Sequence, residues 1–320
     1  SNLSTSLISI LTPQATGNII DNDATGTTGI SFDNTDVTVN EGDGTATFTV
    51  SLSGNVQGGF TLDYATADGS AVQPGDYSAS GVQQLSFTGT DGESYDIIVP
   101  INDDSLIEPT EDFFVDLSNL STTLVSILTP RATGNIIDND ATGTTGISFD
   151  NTDVTVNEGD GTATFTVSLS GNVQGGFTLD YAPADGSAAQ PGDYTASGVQ
   201  QLSFTGTDGE SYDITVPIND DNLIEPTEDF FVDLSNLSTS LISILTPLAT
   251  GNIIDNDATG TTGISFDNTD VTVNEGDGTA TFTVSLSGNV QGGFTLDYAT
   301  ADGSAAQPGD YTASGVQQLS

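Results

Sequence analysis

The string GTTGISFDNTDVTVNEGDGTATFTVSLSGNVQGGFTLDYA begins at Gly26, at Gly143 and at Gly260, so the chain repeats every 117 residues. That period is too long for one turn of a solenoid and fits a string of whole domains. Residues 24–140 and 141–257 are two complete units. They differ at eight positions: Thr66/Pro183, Val72/Ala189, Ser78/Thr195, Ile98/Thr215, Ser105/Asn222, Thr123/Ser240, Val125/Ile242 and Arg131/Leu248. Residues 1–23 read as the end of a preceding unit and 258–320 as the beginning of a following one. The chain starts and stops inside a unit and contains no Met, so it reads as a slice of a longer tandem array. A signal peptide, anchor or sorting domain would then lie outside it.

Charge narrows the partners. Forty-five acids stand against a single base, Arg131, and each complete unit carries 18 carboxylates. With no Lys or Arg patch, nucleic acid and anionic membrane surfaces are excluded as partners. No apolar run approaches the ~18 residues of a membrane-spanning helix, so no membrane insertion is expected within these residues. Acidity of this degree often accompanies disorder, but here apolar residues alternate in regular blocks throughout.

Missing residue types narrow the chemistry. There is no Cys, no His and no Lys, so thiol nucleophiles, Ser-His dyads, Schiff bases and zinc-thiolate or imidazole sites are all excluded. The paired carboxylates of a glycosidase are a poor match, because the acids recur at every repeat junction and few aromatic groups could hold a sugar. The chain is read as non-enzymatic. What remains is oxygen chemistry, which suits hard cations, chiefly calcium and magnesium.

Alternation places strands. In the first complete unit, Ile30 and Phe32, then Val37 and Val39, predict a broken first strand. Ala46–Leu52 predicts a second, Phe60–Tyr64 a third, and Val82, Leu85 and Phe87 an irregular fourth. Tyr95–Ile101 predicts a fifth, Phe113–Leu117 a sixth, and Ala132–Ile136 a seventh. No stretch has sustained helical periodicity. The fold class is all-β: tandem immunoglobulin-like sandwiches of about seven strands each.

Direction then sorts the acids. If successive strands reverse, the loops after strands one, three and five lie at one end, together with the exit of strand seven. That end collects Glu41, Asp43, Asp68, Asp76, Asp103, Asp104, Glu108, Glu111, Asp138 and Asp140. The other end holds only Asp91 and Glu93. One period on, the crowded end gives Glu158, Asp185, Asp193, Asp220, Asp221, Glu225, Glu228, Asp255 and Asp257. The partial units contribute Asp21 and Asp23 before, and Glu275, Asp302 and Asp310 after. Two carboxylates ~4 Å apart repel by roughly 4 kcal/mol at an effective dielectric near 20. Either several are protonated or cations sit between them. Calcium, with 6–8 oxygen ligands and tolerance for irregular geometry, is the expected cofactor. The IIDND segments at 19–23, 136–140 and 253–257 close each unit as its chain leaves for the next, so metal there would stiffen the joint between neighbouring repeats.

The ordered series NEG, FTVSLSG, YATADGSA, GDY, GVQQLSF, INDDSLIEPTEDFFVDLSN and IIDND resembles the Calx-beta domain over essentially all of each unit. The resemblance implies an immunoglobulin-like sandwich that binds several calcium ions at its distal loops. It also implies ligands at Glu41, Asp68, Asp103, Asp104, Glu108, Glu111 and the triplet Asp138, Asn139, Asp140. Their equivalents are Glu158, Asp185, Asp220, Asp221, Glu225, Glu228, Asp255, Asn256 and Asp257. The chain departs from the family pattern at Ser105 and Asn222, where a third consecutive Asp can stand, and at Asn139 and Asn256, where Asp can occupy the middle of the triplet.

Smaller motifs read as follows. Asp76-Tyr77 can be a ligand beside a packing residue, or a turn with a core tyrosine. DNDATG hints at an EF-hand loop, but Phe32 stands where its Glu is required. Asn119 and Asn236 begin NLS sequons that matter only in a host with that glycosylation. Phe114 and Phe231 should point away from the core. The whole reads as a calcium-stiffened stalk of a very large extracellular surface protein, adhesin or filament, at a bacterial cell surface. Such a stalk would project a tip, outside this slice, through which cell-surface or matrix ligands are bound. The alternatives are repeats that are themselves a multivalent adhesive module, and a calcium-sensing regulatory domain.

Overall fold

Strict two-residue alternation puts every other side chain of a strand into a core. Thr45–Ser53 shows it plainly: Ala46, Phe48, Val50 and Leu52 are buried while the residues between them face outward. The computed structural model describes residues 8, 9, 11, 14–20, 28–141, 143–257 and 262–320. The chain divides into two units, Ser1–Asp140 and Ala141–Ser320. The chain is all-β, and the helical elements among the described residues are three-residue 3-10 turns.

In the first unit the strands of the two sandwich sheets are β1 (Gly29–Phe32), β2 (Asp36–Asn40), β3 (Thr45–Ser53), β4 (Phe60–Asp68), β5 (Gln83–Phe87), β6 (Ser94–Pro100), β7 (Glu111–Ser118), β8 (Ser126–Ile127) and β9 (Arg131–Ile137). They form two sheets, one in the order β6-β3-β1-β8 and the other in the order β2-β9-β7-β4-β5. The predicted broken first strand is two strands in different sheets. β1 runs antiparallel to β3, and β2 runs parallel to β9. The crossing takes only three residues: Asp33 N–H still donates to Thr49 O at 2.9 Å, and Thr133 N–H already donates to Thr35 O at 2.9 Å. β8, unforeseen from sequence, pairs in parallel with β1.

The core lies between the sheets. Phe48 packs edge-on against Phe113 at 5.9 Å, and Tyr77 stacks on Phe113 at 4.7 Å. Tyr77 is fully buried, and its hydroxyl donates to Asp68 Oδ1 at 2.6 Å. Val82 corrects the expected fourth strand: it precedes β5 and is 71% exposed. Its loop is fixed by polar contacts, such as Ser80 N–H to Thr66 Oγ1 at 3.1 Å, and buries nothing there. Ile98 lies on the outer face of edge strand β6 and is 60% exposed, which explains why Thr215 replaces it one period later. Phe114 is half-buried on the outer face of β7, covered by the Arg131 guanidinium 4.4 Å from its ring centre.

The second unit repeats this architecture from Gly146 to Ile254, with sheets of four and five strands. Residues from Gly263 onward form short strand pairs. Their apolar side chains, Phe266, Phe282 and Phe294 among them, stay exposed.

Candidate metal centre

Glu41 is placed by the turn that follows β2. Asn40 N–H donates to Asp43 Oδ2 at 2.8 Å, and Gly44 ends the turn at φ 75°, a left-handed conformation that suits glycine. Asp43 is thus occupied in holding its own turn. The turn drives Glu41 inward until it is only 3% exposed. Its Oε1 accepts Asp104 N–H at 3.2 Å, but its Oε2 is buried with no hydrogen-bond partner. An orphaned carboxylate oxygen is costly to bury. Burial accordingly pushes the Glu41 carboxyl up to about 7, against the opposing Asp104 amide and with help from the charges of Asp104, Asp140 and Asp138.

Two carboxylates arrive from the end of β9 to face that oxygen. Glu41, Asp138 and Asp140 each offer an oxygen within 4.8 Å of the others. Asp140 Oδ2 is also buried without a hydrogen-bond partner, and burial, then the charges of Asp138, Asp103 and Asp104, raise its pKa. A second trio consists of Asp76 from the β4–β5 loop, Glu108, and Glu111 at the start of β7, again within 4.8 Å. Burial raises Glu108 to about 7, followed by the charges of Glu111, Asp76, Asp104 and Glu41. The two trios therefore share one electrostatic field: Glu108 feels Glu41 of the other trio, and both feel Asp104. Asp76 also accepts Val72 N–H at 2.5 Å, so the GDY segment supplies a turn, a core tyrosine and a carboxylate of the second trio.

The remaining residues singled out from the sequence stand outside the two trios. Asp68 Oδ1 holds the Tyr77 hydroxyl and Gln73 N–H, and it joins neither trio. Asp104 Oδ1 accepts Leu106 N–H at 2.6 Å, and Asp103 Oδ1 accepts Asn139 Nδ2 at 3.3 Å. Asn139 thus faces Asp103 with a donor. At the other end of the unit, Asp91 accepts Gly54 N–H at 2.6 Å and Glu93 accepts Thr88 and Gly89 N–H. Asn119 sits at φ 50° with its side-chain amide donating to Asp63 Oδ2 at 2.9 Å.

The second repeat builds the same pair of trios: Glu158, Asp255 and Asp257, and Asp193, Glu225 and Glu228. Glu158 is 3% exposed, with Oε1 accepting Asp221 N–H at 3.1 Å and Oε2 without a hydrogen-bond partner. Burial raises Glu158 and, to about 7, Glu225. Asp185 holds the Tyr194 hydroxyl at 2.5 Å, and Asn256 donates to Asp220 Oδ1 at 3.1 Å. One residue that the sequence did not single out also enters: Gln291, from the following repeat, contacts Glu225 and Glu228. In residues 262–320, Glu275 is exposed, Asp302 holds the Tyr311 hydroxyl and Asp310 caps Ala306 N–H. Among the described residues these three form no trio. Asp21 and Asp23 lie outside the described residues.

Every donor in the four trios is a carboxylate oxygen. Such sets accept hard cations, and each buried orphan oxygen would gain the partner it lacks.

A family model described as the Calx-beta domain matches residues 21–141, 138–257 and 255–319. Sodium/calcium exchanger 2 of Mus musculus and of Homo sapiens are each 32% identical over 208 residues, covering 58% of this chain and 22% of the exchanger. The chain thus spans about a fifth of the length of those relatives. Among solved structures, CBD12 from CALX1.2 matches with 19% identity and a TM-score of 0.34, covering 70% of this chain and 99% of that one. The apo form of the Calx CBD1 domain matches with 26% identity and a TM-score of 0.32, covering 35% and 96%.

The raised carboxyls set a pH dependence in divalent-free buffer. A carboxyl with pKa ~4.5 unfolded and about 7 folded, such as Glu41, Glu108 or Glu225, binds more protons when folded. Its contribution is fully present below the unfolded pKa and is lost as pH rises through the folded one. The chelated chain should therefore melt at a higher temperature near pH 5 than near pH 7.5. Glu41→Gln with Glu158→Gln should flatten that slope and raise the melting temperature at neutral pH. Calorimetric scans of both proteins across this range check it.

Proposed function

Because the chain belongs to the Calx-beta domain family, we propose that its acid trios bind calcium and that the tandem repeats form a calcium-stiffened stalk. The observation that carries the calcium reading is the pair of orphaned oxygens, Glu41 Oε2 and Glu158 Oε2, each buried among carboxylates. Glu41, Asp138 and Asp140 would hold one ion and Asp76, Glu108 and Glu111 another, with the matching trios serving the second repeat. The ion neutralises like charges that the loops have forced together. The relatives are sodium/calcium exchangers by name, which is consistent with that choice of cation.

The test is a charge swap against a control. Glu108→Gln keeps shape and removes one negative charge, and amide oxygens bind calcium more weakly than carboxylates. Calorimetric titration of the full chain should show the first repeat's affinity falling by about tenfold or more, equivalent to about 1.4 kcal/mol, with the second repeat little changed. Asp91→Asn, at the other end of the unit, should titrate like the parent. Equal damage from the two variants would contradict the assignment.

The stalk reading rests on sequence. Two near-identical complete units, eight differences in 117 positions, suit a spacer better than a set of distinct binding faces. The exposed differences, Arg131/Leu248 and Val72/Ala189, would disturb a shared adhesive surface. A sensor needs a coupled effector, and no candidate for one stands in this sequence. The proposed setting is the outside of a bacterial cell, where calcium is abundant and the repeats would hold a tip away from the surface. Small-angle scattering on a two-repeat fragment should show its maximum dimension change on chelation while the sandwiches stay folded. An unchanged profile would reject calcium stiffening.

A further inference from the structure

Within the second unit, Leu223–Ile224 of one repeat pairs in parallel with Asn289–Val290 of the following one, Leu223 opposite Asn289 and Ile224 opposite Val290. Gln291 N–H continues the pairing to Ile224 O at 2.9 Å, and Asn289 Nδ2 reaches Asn222 O at 3.4 Å. This register delivers the Gln291 side chain to the acid trio of the preceding repeat. Its Nε2 lies 2.9 Å from Glu225 Oε1 and 3.2 Å from Glu228 Oε1. Glu228 is 8% exposed. Glu225 also feels the charges of Asp221 and Glu158, and Glu158 carries the buried Oε2 that lacks a hydrogen-bond partner. The glutamine therefore reaches a pocket already short of positive charge.

A primary amide suits both states of such a pocket. Ionised carboxylates only accept, so without a cation the glutamine must turn its NH2 toward them. With a cation between the carboxylates, the same position calls for an oxygen, and a half-turn of the planar amide supplies one. Lysine there would fill the site with its own charge, and a shorter or apolar side chain would supply no ligand.

We propose that Gln291 is a calcium ligand donated by the following repeat to the Asp193, Glu225 and Glu228 site, so that filling this site and docking the next repeat reinforce each other. The proposal rests on the calcium reading above. It makes the site composite: three carboxylates from one repeat and an amide from the next, with the Leu223–Asn289 strand pairing setting its position. The sequence carries the same glutamine at 57 and 174.

The test uses the full chain and calcium chloride in a calorimetric titration. Gln291→Ala should weaken one class of site several-fold. Gln291→Glu, which adds a fourth carboxylate, should tighten that class by about tenfold. In chelator, Gln291→Glu should lower the melting temperature through added repulsion, and calcium should reverse the order. Gln291 is exposed and outside both cores, so these variants keep the fold. If the parent binds calcium and both variants titrate identically to it, Gln291 is an interface hydrogen bond and the composite site is wrong. If the parent binds no calcium, the calcium reading falls, and this proposal with it.

Discussion

The structure depends on a repulsion that it creates for itself. The Asn40–Asp43 turn and its copy at Asn157–Asp160 push a glutamate into the interior end of each sandwich, and the last strand delivers two aspartates against it. Loops that carried these acids apart would cost nothing. Burial first, and then the charge of the neighbouring acids, raises the pKa of Glu41 and Glu158, and each is left with an unmet oxygen. The rest of the domain supplies the rigidity that makes the crowding unavoidable. Fully buried Phe48, Phe113 and Tyr77 lock the two sheets together, and Tyr77 anchors Asp68 so that the neighbouring Asp76 turn faces Glu108 and Glu111.

A scaffold of this kind responds to a cation in a particular way. The sandwich core is apolar, while the end that carries the trios is under electrostatic load. Protons or calcium relieve the same load by different routes. Protonation neutralises single carboxyls, whereas a calcium ion would offset two of a trio's three negative charges and give the orphaned oxygens a partner. Under the proposed function, this would separate folding of the sandwich from stiffening of its end.

Much of this was legible in residue order. Alternation located the strands because each sandwich face is strictly one-sided, and a 117-residue period gave the repeat. Counting strand direction put ten acids at one end of the unit, but it could not say which of them share a pocket. Asp43 is taken by Asn40 and Asp68 by Tyr77, and both partners are uncharged, so a search for charge alone passes over them. The split of the first strand was only half legible: Val37 and Val39 are out of phase with Ile30 and Phe32, which marks a break across Asp33–Thr35 but does not say that the chain changes sheet there. Val82 stands out of phase with Leu85 and Phe87 and is exposed, before the strand that those two mark. Gln291 was illegible for a different reason. It is neutral, it lies in the loop assigned to the acid-poor end, and its contact is with the preceding repeat, whereas the sites were read one repeat at a time.

The most direct measurement is the melting temperature of the full chain at neutral pH, followed by calorimetry as free calcium rises from a chelated baseline. If the trios are cation sites of the folded state, melting temperature climbs steadily with the logarithm of calcium concentration. A single site at 1,000 times its dissociation constant then contributes about 4 kcal/mol. A melting temperature indifferent to calcium over the whole range would contradict the account, because the crowded carboxylates would then be tolerated without a cation.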